Sequence, residues 1–99
     1  YLVYLSKAQI IEVEAFSCCH SLKFVFAKHL LQIKSKAFIE CYSLELITSQ
    51  KVESIGENAF NDCFALNNLD LSKIKVITSN VFNRCHCLIN ARCSQNNKQ

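Results

Sequence analysis

A chain of 99 residues, 51% of them hydrophobic, has room for one domain and not two. Its frequent aromatic and branched residues, with a formal charge of only +3, exclude a disordered segment, and no apolar run approaches the length of a membrane-crossing helix. Lys and Arg are scattered, densest at Lys34 with Lys36 and at Lys73 with Lys75, so no basic face with stacking aromatics is present for a nucleic acid.

The chain opens on Tyr1-Leu2-Val3-Tyr4-Leu5, which reads as the inside of a strand. No basic-then-apolar leader precedes it and there is no Met, so the expectation is a piece of a longer polypeptide, or a processed one. With one Gly and no Pro, the turns must be made another way or must all be alike. Internal repetition supplies that likeness. Phe16, Phe38, Phe60 and Phe82 recur every 22 residues. In the same register run Cys19, Cys41, Cys63 and Cys85; Leu22, Leu44, Leu66 and Leu88; and Ile11, Ile33, Ile55 and Ile77. Ala15, Ala37 and Ala59 precede the first three Phe, and only Val81 departs. Softer columns are Val3, Val25, Ile47, Leu69 and Ala91, and Ala8, Leu30, Val52 and Ile74. A 22-residue period without insertions is that of a solenoid, in which a single coil cannot bury its apolar face and neighbours must stack.

Within each period, alternation places strands at 22–27, 44–49 and 66–71, with a frayed one at 88–91, forming a parallel sheet with strands about 4.8 Å apart. A second short extended piece ends on the Ile column, as at 52–55. Segment 57–63 has apolar residues at spacing three or four and predicts one helical turn. The expected architecture is a repeat solenoid of about four and a half coils over residues 1–93, with a polar tail at 94–99.

The unit I-x-x-x-A-F-x-x-C-x-x-L, fullest at Ile55-Gly56-Glu57-Asn58-Ala59-Phe60-Asn61-Asp62-Cys63, resembles the BspA-like class of leucine-rich repeats. The resemblance implies a leucine-rich-repeat right-handed superhelix. It also implies a large surface or secreted microbial protein used for attachment and for binding other proteins. Two departures stand out. Gly56 shares its column with Glu12, Lys34 and Thr78, so either positive φ is not strictly needed there or those copies bend differently. Apolar Leu30, Val52 and Ile74 occupy the place where the common repeat has Asn or Cys, so no Asn ladder is expected.

Four of the seven Cys belong to the inward column and read as small buried apolar residues. Cys18-Cys19-His20 and Cys85-His86-Cys87 look like ligand clusters, but zinc favours separated pairs, and adjacent residues of an extended chain point apart. His20 and His86 lie three coils apart and cannot share an ion. The reading is therefore no metal and no cofactor, with Cys87 and Cys93 able to pair under oxidation. No catalytic Cys–His arrangement, phosphate loop or paired-acid motif is evident, so the chain is read as a non-enzyme.

Function is then sought in the outward columns of the main sheet. Leu2, Phe24, Leu46, Asn68 and Asn90 form one, and Tyr4, Phe26, Thr48, Asp70 and Arg92 the other. The expected protein-binding face is Tyr4, Phe24, Phe26, Leu46 and Thr48, flanked by Asp70 and Arg92, because exposed contiguous apolar surface often marks an interface. Strand propensity alone also places aromatics there, as would a partner segment of the same chain. The alternatives to an adhesive binding module are spacer coils or an intracellular scaffold with reduced thiols. Further repeats or caps are expected at both ends, since a bare core edge favours end-to-end association.

Overall fold

The structure is a computed structural model that describes residues 1–88 and the backbone of Arg92–Cys93. The expected strand at 88–91 and the tail at 94–99 lie almost wholly outside the described residues.

Each coil contributes two short strands. The main-sheet strands are β1 (Leu2–Tyr4), β3 (Phe24–Phe26), β5 (Leu46–Ile47), β7 (Asp70–Leu71) and β9 (Arg92–Cys93). The second strands are β2 (Ile10–Ile11), β4 (Gln32–Ile33), β6 (Ser54–Ile55) and β8 (Val76–Ile77). Every pairing is parallel and joins a residue to its counterpart one period on: Val3 with Val25, Val25 with Ile47, Ile33 with Ile55, Asp70 with Arg92. The second sheet is continuous in the order β2-β4-β6-β8. The main sheet is interrupted: β1-β3-β5 form one part, β7-β9 another, and a single bridge between Leu46 and Asn68 spans the gap. The repeat solenoid read from the sequence is the observed fold.

Burial follows the columns. Phe38, Phe60, Cys41, Cys63, Leu44, Leu66, Leu30 and Val52 are fully buried. Their counterparts in the first and fourth coils, Phe16, Phe82, Cys19 and Cys85, are only half-buried, because among the described residues they have a stacked neighbour on one side alone. The same residue type is thus core or surface according to its coil. The Phe rings stack nearly parallel along the axis, with centroids 5.4, 5.4 and 5.7 Å apart, within the separation at which aromatic pairs attract.

The segment expected to be a helical turn is not one, and among the described residues there is no helix. Its amides divide their work. The N–H groups of Ala15, Ser17 and Cys19 donate to carbonyls three residues back, closing tight turns, while those of Glu14, Phe16 and Cys18 donate along the stack to Ser35, Ala37 and Ile39 at 2.8–3.1 Å. An α-helix would keep every amide within the segment. Here alternate amides join the next coil, and the chain turns them that way with left-handed residues at Glu14 and Cys18, Lys36 and Glu40, Asn58 and Asp62, Asn80 and Arg84. Left-handed backbone is costly for residues with a Cβ, and these inter-coil hydrogen bonds offset it. Gly56 itself does not have positive φ. Its column needs no left-handed residue, and the glycine serves close approach instead: a Cβ there would lie 2.5 Å from the Ser35 nitrogen. No described helix is long and apolar enough to cross a membrane.

Candidate functional site

Two surfaces present side chains that the framework does not consume. The first is the outward face of the main sheet. β1 and β3 place Tyr4 over Phe26, their rings stacked at 4.9 Å, with Phe24 tilted against Phe26 at 6.3 Å. Tyr4 is 71% exposed and Leu2 48%, while Phe24, Phe26 and Leu46 are half-buried by one another. The structure therefore brings Tyr4, Phe24, Phe26 and Leu46 together as one aromatic-aliphatic patch. Thr48 adjoins it, but its hydroxyl is engaged, accepting the Ala27 amide at 3.1 Å. Asp70 lies across the interruption and accepts the Ser72 amide at 2.9 Å. Arg92 is paired with Asp70 through the backbone, and its side chain lies outside the described residues.

The break in the main sheet has a shape. Where β5 gives way to β7, a shallow open hollow of about 290 Å³ is lined by Leu46, Ile47, Thr48, Ser49, Gln50, Asn68 and Asp70. It lies where the aromatic part of the face meets the polar part. A peptide crossing this face would meet apolar surface over β1, β3 and β5 and hydrogen-bonding groups beyond.

The second surface was not singled out from the sequence. His20, Tyr42, Phe64 and His86 form a stacked ladder on the outside of the turn segments, with centroids 4.5, 5.2 and 5.9 Å apart and ring planes within 14° of parallel. Beside it runs the left-handed column Cys18, Glu40, Asp62 and Arg84. The two columns are tied together. Tyr42 donates its hydroxyl to Glu40 Oε1 at 3.2 Å, Arg84 Nε donates to Asp62 Oδ1 at 2.6 Å, and the Arg84 guanidinium lies 5.9 Å from the Phe64 ring centroid. Burial and the adjacent Glu40 carboxylate raise the Tyr42 phenol above its ordinary range, and the hydrogen bond to Asp62 holds Arg84 firmly protonated. The 22-residue spacing of these rings was the available signal, masked because the column varies in residue type, with His at both ends and Tyr and Phe between.

The Cys column does more than fill space. The thiols of Cys41, Cys63 and Cys85 each donate to the carbonyl of the Phe in the coil before, Phe16, Phe38 and Phe60, at 3.0 Å. A ladder of thiols thus occupies the role that an Asn ladder would fill. Burial pushes the Cys41 thiol up to about 12 and that of Cys85 to about 11, and raises Cys63 for the same reason. Held neutral in this way, these thiols are poor nucleophiles. Cys18, Cys19 and Cys87 are also free thiols, and Cys18 and Cys87 are exposed. The side chain of Cys93, the other half of the pairing considered for Cys87, lies outside the described residues.

The comparisons with known proteins agree with this geometry. The family model described as "BspA type Leucine rich repeat region (6 copies)" matches residues 6–99. Among solved structures, the leucine rich repeat protein of T. pallidum matches with a TM-score of 0.68 at 23% sequence identity, over 91% of this chain and 57% of that one. The present chain thus spans little more than half of that protein, and the likeness is one of fold. A search of the curated proteins finds no match. With the family model covering nearly all of a strictly periodic, stacked-coil chain, this protein belongs to the BspA-type leucine-rich-repeat family.

Proposed function

We propose that the chain is a non-enzymatic protein-binding module whose binding face is the outward side of the main sheet. Leucine-rich-repeat coils are typically interaction modules rather than catalysts, and the buried thiols of Cys41, Cys63 and Cys85 are held neutral. The observation that carries the reading is the patch of Tyr4, Phe24, Phe26 and Leu46, stacked together on a face where packing of the coils does not require apolar groups. Aromatic anchors of this kind dominate binding energy at protein interfaces. The setting we favour is a surface or secreted adhesive protein containing further repeats, with Asp70 and Arg92 setting the polar rim. A peptide-display library selected on the immobilised chain supplies probes. Peptides bound at this face lose at least roughly tenfold in affinity for the Phe24→Ser plus Phe26→Ser variant, the loss expected when two anchors are removed. Affinity retained by that variant, with its circular dichroism unchanged, refutes the assignment.

A further inference from the structure

Beyond protein binding, the structure places three metal-ligating side chains at one point on the seam between the first two coils. The Cys18 thiol, the His20 imidazole and the Glu40 carboxylate present ligand atoms that all lie within 4.8 Å of one another. Cys18 Sγ is already 3.7 Å from Glu40 Oε1. Ligands bound to zinc at 2.0–2.3 Å in a tetrahedron are themselves separated by roughly 3.3–3.8 Å. One edge of the tetrahedron is therefore formed, and small rotations of two exposed side chains, Cys18 and His20, complete the face.

The fold explains the convergence. Cys18 is left-handed at φ 60, so the chain bends between Cys18 and His20 instead of sending them apart. Its amide donates to the Ile39 carbonyl at 2.8 Å, fixing the coil-to-coil register beside the site, and the Glu40 amide donates to Asn61 at 2.7 Å. Glu40 is the counterpart of Cys18 one period on, so the trio is assembled by stacking. A supporting layer is also present. The His20 ring stacks on Tyr42 at 4.5 Å, and the Tyr42 hydroxyl hydrogen-bonds Glu40 Oε1 at 3.2 Å. Partners that orient ligands in this way are characteristic of metal sites. Among the described residues no other trio converges so. In the last coil the place of Cys18 is taken by Arg84, engaged with Asp62.

We propose that Cys18, His20 and Glu40 form a surface zinc(II) site that bridges the first and second coils, with water in the fourth position. A thiolate, an imidazole and a carboxylate suit a borderline-soft ion and disfavour calcium and magnesium, which take oxygen ligands. Binding displaces a proton from the thiol into solvent as the sulfur–zinc bond forms, with no redox change. Because Glu40 joins Cys18 and His20 only when the two coils stack, the ion binds the stacked state more tightly than the unfolded chain, and it raises stability.

The test uses the full chain, metal-free and kept reduced with a phosphine, titrated with zinc chloride by calorimetry, and with cobalt(II) chloride followed by absorption spectroscopy. The expected result is one equivalent of zinc, a thiolate-to-cobalt charge-transfer band, and a raised melting temperature. Cys18→Ser removes the band, and Glu40→Gln weakens zinc binding by at least roughly tenfold. Tyr42→Phe weakens it by about tenfold, as for other orienting partners, and Cys87→Ser leaves it unchanged. Far-UV circular dichroism confirms that each variant stays folded. Absence of stoichiometric zinc binding overturns the proposal, as does binding that survives Cys18→Ser and Glu40→Gln or is lost in Cys87→Ser.

Discussion

Replacing Gly56 with Ala tests whether stacking distance, rather than turn conformation, dictates this glycine. The backbone there is not left-handed, so alanine would ordinarily stabilise by about 0.4–1 kcal/mol through the unfolded state. The structure opposes this. The added Cβ would meet Ser35 N at 2.5 Å, Lys34 C at 2.8 Å and Ser35 Cα at 2.9 Å, all backbone atoms that cannot rotate aside. The inter-coil hydrogen bond of this column is shortest at this copy. The Gly56 amide lies 2.7 Å from the Ile33 carbonyl, whereas the equivalent distances are 2.9 Å at Lys34 and 3.3 Å at Thr78. Forcing a methyl into packed surroundings costs about 1–3 kcal/mol, so the net expectation is a loss of about 1–2 kcal/mol after the entropic gain. Urea unfolding followed by circular dichroism measures it as a lower midpoint at unchanged slope. Lys34→Ala, in the same column with room for its Cβ, should stay within about 0.5 kcal/mol of the parent. A neutral or stabilising Gly56→Ala, or an equal loss at Lys34→Ala, would refute the close-approach reasoning.

Two further expectations concern the core. Phe60→Ala should destabilise by about 3–5 kcal/mol, the range for a fully buried aromatic, and Phe82→Ala by clearly less, because Phe82 is half-buried at the outer coil; equal losses in urea midpoints would contradict the dependence on coil position. The buried thiols predict alkaline sensitivity. Unfolded thiols ionise near 9.0, while the folded chain retains the protons of Cys85 to about 11 and of Cys41 to about 12. The folded state therefore binds more protons above pH 9, and the thiols' contribution, fully present below that value, declines as pH rises through 11 and 12. Urea midpoints should stay level from pH 7 to about 9 and fall above that, less steeply in Cys41→Ala; an identical slope in that variant argues against the thiols as the cause.

The periodic columns were legible because burial asks the same question of each coil and receives the same answer: Phe38 and Phe60, Cys41 and Cys63, Leu44 and Leu66 are all fully buried. The strands were legible for the same reason, since Val25 and Ile47 alternate with outward residues. The turn segment was misread because apolar residues at spacing three or four look helical, while the decisive fact is where the amides of Glu14, Phe16 and Cys18 go, which lies in the next coil. Nor do Glu14, Cys18, Lys36, Glu40 and Arg84 advertise a left-handed backbone; only Asn58, Asp62 and Asn80 are types with a known tolerance for it. The thiol ladder was hidden because Cys reads as apolar in a hydrophobic column. For the sheet face, the position of Tyr4 and Phe26 in one column was visible from the spacing, but their mutual stacking and the interruption after Leu46 were not. Cys18, His20 and Glu40 required the period to be applied to polar columns as strictly as to apolar ones.

The constant register bears on how such a chain changes length. Every strand pairing joins residues one period apart, with no insertion anywhere in the series. A duplication or deletion spanning one period therefore rejoins Phe to Phe, Cys to Cys and Leu to Leu wherever its breakpoints fall within the coil. A gain or loss of any other size misaligns all three columns together. Recombination between neighbouring copies is thus the mutational event that this architecture absorbs most readily. The outward columns are then free to diverge copy by copy, as the passage from Phe24 to Asn68 along one of them already records.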